Sequence, residues 1–285
     1  MALTSEQLIQ EATHQRLGSA RRGDCEIVVG RSGNDLIAIR RPMFLRSLGE
    51  TGSGRSIAIM GLAEQMIANG GSVLWVDSGL YPRVATMLRK LAAKYSVSYA
   101  ASGDFADGDQ AAIASLMKHG GVGHCLPAHM APAGVHEGAA ARSRIANILR
   151  VLSDSELNGW GNAPPTLIVF NQVVGAFQGR AMGLGSLPAR LRGSGHSIVF
   201  SDTAIEADAL DVAAHVRQYL FHRMDSAQAR HVVDALRPVC TQSTGDEREA
   251  LARQVTDLVD EFAVYCTNGY WILLRSAQPT LYGRG

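Results

Sequence analysis

Residues 49–56 read Gly49-Glu50-Thr51-Gly52-Ser53-Gly54-Arg55-Ser56, and they carry the residue types that cradle phosphate. The phosphate-loop pattern is Gly, any four residues, Gly, Lys, and then Ser or Thr. Gly49, Gly54 and Ser56 satisfy it, and Arg55 stands where the lysine is expected. Glycines let backbone N–H groups curl around phosphate oxygens, and a helix N-terminus behind them adds positive dipole. Arginine keeps the charge of lysine but is bulkier, planar and suited to two-pronged contacts. The string therefore predicts a site for ATP or ADP along 49–56, with Arg55 on phosphate and Ser56 offering its hydroxyl to Mg²⁺. The alternative is a Gly-rich strand-to-helix turn whose glycines serve only close packing.

A hydrolytic phosphate site also needs an acid at a strand end. The best-placed strand, Leu167-Ile168-Val169-Phe170, ends in Asn171-Gln172, the amides of Asp and Glu. Asn171 supplies no negative charge for hydrated Mg²⁺, and Gln172 cannot act as a general base on water. With lysine replaced by Arg55, three changes point the same way, toward a kept shape and dropped catalysis. Asp77 ends the run Val73-Leu74-Trp75-Val76 and is the acid that could restore a metal partner. It could equally cap the turn Asp77-Ser78-Gly79.

Other chemistry-bearing residues are less specific. Arg190, Arg192 and His196 flank a Gly-rich turn and read either as an arginine finger toward a neighbouring subunit's nucleotide or as solvated surface charge. His119, His124, Cys125, His129, His136 and Glu137 crowd one stretch, but their spacing matches no zinc template and the stretch reads as loop. No Gly-x-Ser-x-Gly elbow and no His-Glu-x-x-His occurs, and residues 28–33 do not make the dinucleotide fingerprint.

The elements that must position the loop are legible around it. Residues 43–48 read as a short strand and 57–67 as a helix, closed by Gly70-Gly71. Residues 26–30 and 36–39 read as a hairpin around Gly33-Asn34. Ser72–Asp77 is a continuous apolar run, as a buried parallel strand would be. Helical spacing follows over 81–95, then a short strand over 97–100. Beyond 164, strands are expected at 166–170, 197–200, 218–222 and 270–274, and helices at 188–192, 204–214, 226–236 and 245–262. Further helices are expected at 5–20, 109–118 and 139–152. Alternating strands and helices argue an α/β fold with a mainly parallel sheet. The expected organisation is a P-loop core split into an N-terminal half (1–100) and a C-terminal half (165–285), with a small helical and loop insertion (101–164) between them.

Bulk composition narrows the classes. The 285 residues are 46% hydrophobic, ample for a buried core, and the 27 basic residues nearly balance the 26 acidic ones. That balance gives no global electrostatic case for nucleic acid. No stretch reaches the roughly 18 unbroken apolar residues of a membrane helix, and the N-terminus lacks a signal-peptide pattern. Cys25, Cys125, Cys240 and Cys266 are far apart and read as reduced thiols of a cytoplasmic protein.

The order of these pieces resembles the FtsK/HerA-like P-loop ATPases, and within them the TraG/TraD-type coupling proteins of conjugation and type IV secretion. The carrying segments are "GETGSGRS", "GGSVLWVDSG", "TLIVFNQV", "LRGSGHSIVFSDT", "YLFHRMDSAQARHV" and "GYWILLRSAQPTLY", spread over residues 25–285 except 101–164. The resemblance implies a RecA-like core, an oligomeric ring (homo- or hetero-oligomer), partners in secretion or conjugation machinery, DNA contact, and placement at the inner face of a membrane through partners. Asp202 falls where the family's sensor glutamine stands, so it joins Asp77, Gln172 and Arg192 as a candidate catalytic residue. Three functions stay open: a nucleotide-binding regulatory or scaffold subunit with weak or no hydrolysis, an active divergent translocating ATPase, and a nucleotide-free interaction domain that docks transfer substrates.

Overall fold

A computed structural model of the chain describes residues 26–77, 82–101, 164–172, 195–203, 216–236 and 245–280, with parts of 113–125. The helices expected at 5–20, 139–152, 188–192 and 204–214, and most of that at 109–118, lie outside the described residues. Among those described, eleven strands form one sheet: β1 (Glu26–Ser32), β2 (Asp35–Arg40), β3 (Phe44–Leu48), β4 (Ser72–Asp77), β5 (Tyr99–Ala101), β6 (Gly121–Cys125), β7 (Thr166–Asn171), β8 (Ser197–Asp202), β9 (Gln218–Phe221), β10 (Phe262–Thr267) and β11 (Tyr270–Ser276). Their spatial order is β2-β1-β11-β10-β9-β3-β8-β7-β4-β6-β5. The seven strands from β9 to β5 run parallel, and β10, β11, β1 and β2 extend the sheet antiparallel. The architecture is the expected α/β fold with a mainly parallel sheet.

Helices cover both faces. Helix α1 (Arg55–Ala68) and α2 (Pro82–Lys94) pack on one face, contributing Ile59, Leu62, Met66, Leu88 and Leu91 to a core shared with Leu45, Trp75, Leu167 and Val199. Helix α3 (Ser226–Ala235) and α4 (Gly245–Thr256) cover the other, where Val232, Leu251 and Val255 meet Leu48, Leu74, Phe170 and Phe200. Central strands are thus buried on both sides, which is why β3, β4, β7 and β8 read as unbroken runs rather than as alternation.

Local chemistry sets the element ends. Helix α1 closes in a Schellman motif. Gly70 takes φ 74°, its N–H donates to Ile67 O at 2.9 Å, and the Gly71 N–H donates to Met66 O at 2.9 Å. Helix α3 starts at Asp225, whose carboxylate accepts from the Ala227 and Gln228 amides at 2.8 Å each. Helix α1 is also gripped by the segment after β11. Glu64, fully buried, accepts from Lys94 Nζ (2.9 Å), Tyr95 OH (3.1 Å), Thr280 N (2.6 Å) and Thr280 Oγ1 (2.5 Å).

Two strands differ from the sequence reading. Residues 121–125, read as loop, form β6 and sit inside the sheet between β4 and β5. Residues 262–267, beginning at the last residue of the helix expected over 245–262, form β10. It pairs with β11 through the turn Asn268-Gly269, both residues at positive φ (50° and 82°). An Asn-Gly pair between apolar runs is a strong hairpin signal that the reading left unused.

Candidate nucleotide site

The loop 49–54 leaves β3 and turns directly into α1. Two backbone bonds tie it to the ends of β8 and β9, and a third closes it on itself. The Gly49 N–H donates to Asp202 O (3.4 Å), the Glu50 N–H to Arg223 O (2.9 Å), and the Ser53 N–H returns to Glu50 O (3.2 Å). The Ser53 hydroxyl donates to the same carbonyl at 2.7 Å, so this buried serine staples the loop instead of facing a ligand. Gly52 and Gly54 hold φ 83° and 89°, the left-handed region that only glycine adopts at no cost. A Cβ on either would meet nothing within 4 Å, so their outward side is open. Gly49 is the reverse case, since a Cβ there would lie 2.7 Å from His222 Cβ and 2.8 Å from Ser53 Oγ.

Behind the loop, the first helical bond to a loop carbonyl runs from Ala58 N to Gly54 O at 3.0 Å. By helix geometry the amides of Ser56 and Ile57 point out of the N-terminus toward the loop. No acid occupies the first turn of α1, so its dipole is left for an anion. Arg55 is 5% exposed and its charge reaches the buried His222 ring. Burial, with Arg55 adding to it, pushes His222 down to about 3 against the opposing hydrogen bond to the Ser53 backbone, so His222 is neutral at pH 7. The sequence reading missed this histidine; only its place after β9, beside the loop, reveals it.

Strand parity places the remaining candidates. On β3, β8, β7 and β4 the residues Leu45, Val199, Leu167, Val169 and Trp75 face α1 and α2. Two-residue periodicity then puts Ser47, Ser201, Asn171 and Asp77 on that same face at the strand ends that lead to the loop. Register makes them one row: Asp77 opposite Asn171, Asn171 opposite Ser201, and Ser201 opposite Ser47. All four are at most 1% exposed. At about 4.8 Å per strand, Asn171 lies about 10 Å from the Ser47 column and Asp77 about 14 Å. The Ser47 hydroxyl, the Ser201 hydroxyl and both amide atoms of Asn171 find no hydrogen-bond partner among the described residues. Buried polar groups are nearly always satisfied, so these atoms beneath the 49–54 loop call for partners beyond the described residues.

Other predicted residues are placed elsewhere. Asp202 faces the opposite side of the sheet, where Arg46 Nη2 lies 3.7 Å from its carboxylate with the arginine fully buried, and its backbone carbonyl accepts from the loop's Gly49 N–H. Gln172 leaves the sheet with φ 55°, its N–H donating to Ser201 O at 2.7 Å. His196 sits at the start of β8, the far end from the loop. Its Nδ1 accepts from the Thr166 N–H at 3.1 Å, and burial lowers it to about 4, so it is a neutral tie between strands. Arg190, Arg192, His129, His136 and Glu137 lie outside the described residues. His124 and Cys125 are successive residues of β6 and face opposite sides of the sheet, so they cannot ligate one ion. His124 meets Tyr99 OH at 3.3 Å on the α1/α2 face, while Cys125 enters the core under α3 and α4. Among the described residues no three of His, Cys, Asp and Glu gather to hold a metal.

Mg²⁺ prefers anionic oxygen ligands. Ser56 is half-buried at the head of α1 and can offer a hydroxyl. The nearer strand end offers the amide of Asn171, and the acid Asp77 is one strand farther away. The neutral donors of Ser47, Ser201 and Asn171, with Arg55, fit phosphate oxygens better than a cation, and the acid of the row stands farthest from the loop.

No known family model and no curated protein matches the sequence. Solved structures do. VirB4 of Thermoanaerobacter pseudethanolicus superposes with TM-score 0.60 at 9% identity, over 90% of this chain and 97% of that one. The genome packaging NTPase B204 of Sulfolobus turreted icosahedral virus 2, in complex with ATPγS, gives TM-score 0.54 at 11% identity, over 82% and 98%. The pCW3 conjugation coupling protein TcpA with ATPγS gives 0.52 at 14% identity, over 90% and 66%. What is shared at these identities is the fold.

Proposed function

We propose that this chain binds ATP or ADP on residues 49–56 and hydrolyses it weakly or not at all, acting as a regulatory or scaffold subunit of a conjugation, secretion or packaging machine. The observation that carries the reading is Asn171. It is buried on the loop face in the row that runs beneath the loop, at the strand end where a hydrolytic site needs a carboxylate. The open φ-positive glycines, the acid-free first turn of α1 and Arg55 bind phosphate. Ser53 and His222 hold the loop in shape. Polarising water takes a base, and Gln172 cannot supply one. Partners in a ring, DNA and a seat at the inner face of a membrane belong to this proposal through the motif resemblance. No helix among the described residues is long and apolar enough to cross a membrane.

A second reading, an active divergent ATPase, is favoured by Asp77, a buried acid in the same row. It requires Asp77 to act from about 14 Å across three strand spacings. The test is binding of a fluorescent ATP analogue by wild type and Arg55→Ala, followed by turnover of wild type and Asp77→Asn. Micromolar binding lost in Arg55→Ala, with no turnover above background, supports the first reading. Turnover abolished by Asp77→Asn establishes the second. Failure to bind at millimolar nucleotide refutes both and leaves an interaction domain.

A further inference from the structure

We infer that the site takes its nucleotide as the free polyphosphate anion, without a divalent cation held by the protein. The inference rests on the nucleotide-binding reading above and specifies its ligand. Its basis is the row Asp77–Asn171–Ser201–Ser47. Three of the four are neutral, and their unpartnered atoms include one amide nitrogen and two hydroxyls, all able to donate to phosphate oxygen. A carboxylate at 171 could only accept, so it would repel phosphate unless a cation stood between them. Asn171 removes both the repulsion and the need for that cation.

Arg55 supplies the positive charge by other means. A guanidinium presents a rigid fork that pairs two phosphate oxygens at once, as a bridging metal would. It sits at the first residue of α1, where the helix dipole acts in the same direction. The neighbouring His222 stays neutral and adds no competing cation. Asn171, Ser201 and Ser47 therefore give affinity no dependence on a divalent ion, and Asp77, the acid of the row, stands about 14 Å from the Ser47 column.

Titration of ATP into the full chain, by calorimetry or analogue fluorescence, is run in excess EDTA and again in excess Mg²⁺. Wild-type affinity is expected to agree within about threefold between the two. Asn171→Asp is expected to lose about tenfold or more in EDTA, equal to about 1.4 kcal/mol, and to regain it with Mg²⁺. Mn²⁺ added to wild type with nucleotide should show only the paramagnetic signal of the nucleotide complex in solution, with no protein-immobilised component. Wild-type binding that falls about tenfold or more in EDTA, or an immobilised Mn²⁺ signal, overturns the inference and leaves the nucleotide-binding reading standing. Absence of binding in both buffers sinks that reading and this inference together. The wild-type comparison decides the matter even where Asn171→Asp does not fold.

Discussion

Replacing Gly61 by alanine sets two effects of opposite sign against each other. Gly61 lies inside α1, where alanine favours the helix by about 1 kcal/mol. The new Cβ would stand 2.5 Å from Ala277 O, 2.9 Å from Ala277 C and 3.3 Å from Gln278 C, all backbone atoms with no flexible end to swing away. Segment 277–280 must lift, and lifting it removes the two bonds from Thr280 to the Glu64 carboxylate and the Lys94–Thr280 contact. Bonds to a charged acceptor contribute about 1.5–3 kcal/mol each, though water admitted to Glu64 recovers part of that. The net expectation is a loss of about 2 kcal/mol, within the usual range for overpacking. At this chain length that is a fall in melting temperature of about 4 °C. Thermal and urea unfolding of Gly61→Ala measure it, and Thr280→Val is added to close a double-mutant cycle. In the Gly61→Ala background the second change should cost almost nothing, because its bonds are already gone. A melting temperature equal to or above wild type, or full additivity of the two changes, would refute the account of the tail as a clasp on the loop helix.

Stability should fall in mild acid. His124, His196 and His222 have folded values of about 4, about 4 and about 3, all below the unfolded value near 6.5 because burial disfavours their charged forms. Groups depressed in this way leave the fold fully stable above pH 6.5 and weaken it as pH drops toward 4, by up to about 1.4 kcal/mol per unit for each histidine. Urea midpoints that stay flat from pH 7 to pH 5 would contradict this. Gly54→Ala should weaken nucleotide binding and cost about 1–2 kcal/mol through φ 89° alone, since no atom lies within 4 Å of the added carbon. Wild-type affinity in that variant would count against the loop geometry. Asp225→Ala should cost about 1 kcal/mol by uncapping α3, with nucleotide affinity unchanged, read by denaturation beside binding.

How much of this was legible depended on whether the signal was local. The loop, β3, α1 and β4 are marked by glycines whose backbone demands are written in the sequence, and Ser72–Asp77 emerged with the expected bounds. β10 also had a local signal, Asn268-Gly269, which went unused because the preceding helical pattern was carried on through Phe262. β6 had none. Gly121-Val122-Gly123-His124-Cys125 has the composition of a loop, and only burial between β4 and β5 makes it a strand. The polar row is non-local altogether. Asp77, Asn171, Ser201 and Ser47 become neighbours through strand order, and no spacing in the chain announces that Asp77 stands opposite Asn171. The side that Asp202 takes is non-local for a related reason. With both faces of β8 buried, its sequence carries no alternation to tell which side each residue takes, and it is the nearby Arg46 that shows it.

The sheet order also has a consequence for synthesis. Of the described strands β1 and β2 are made before all others, yet β1 joins the rest of the sheet beside β11, the last of them. The separation is roughly 250 residues, which at about 5–20 residues per second is some 12–50 s of elongation. Throughout that interval the opening hairpin has its own turn but no neighbour for the free edge of β1, and an isolated two-stranded hairpin is at best marginal in water. The same delay leaves Gln65 of the loop helix waiting, because its amide is completed by the backbone of Val28 at 2.8 and 2.9 Å. The nascent chain thus holds its 49–54 loop early and finishes the support behind it only once β11 has emerged, which leaves the β1–β2 hairpin in need of shelter while the chain is being made.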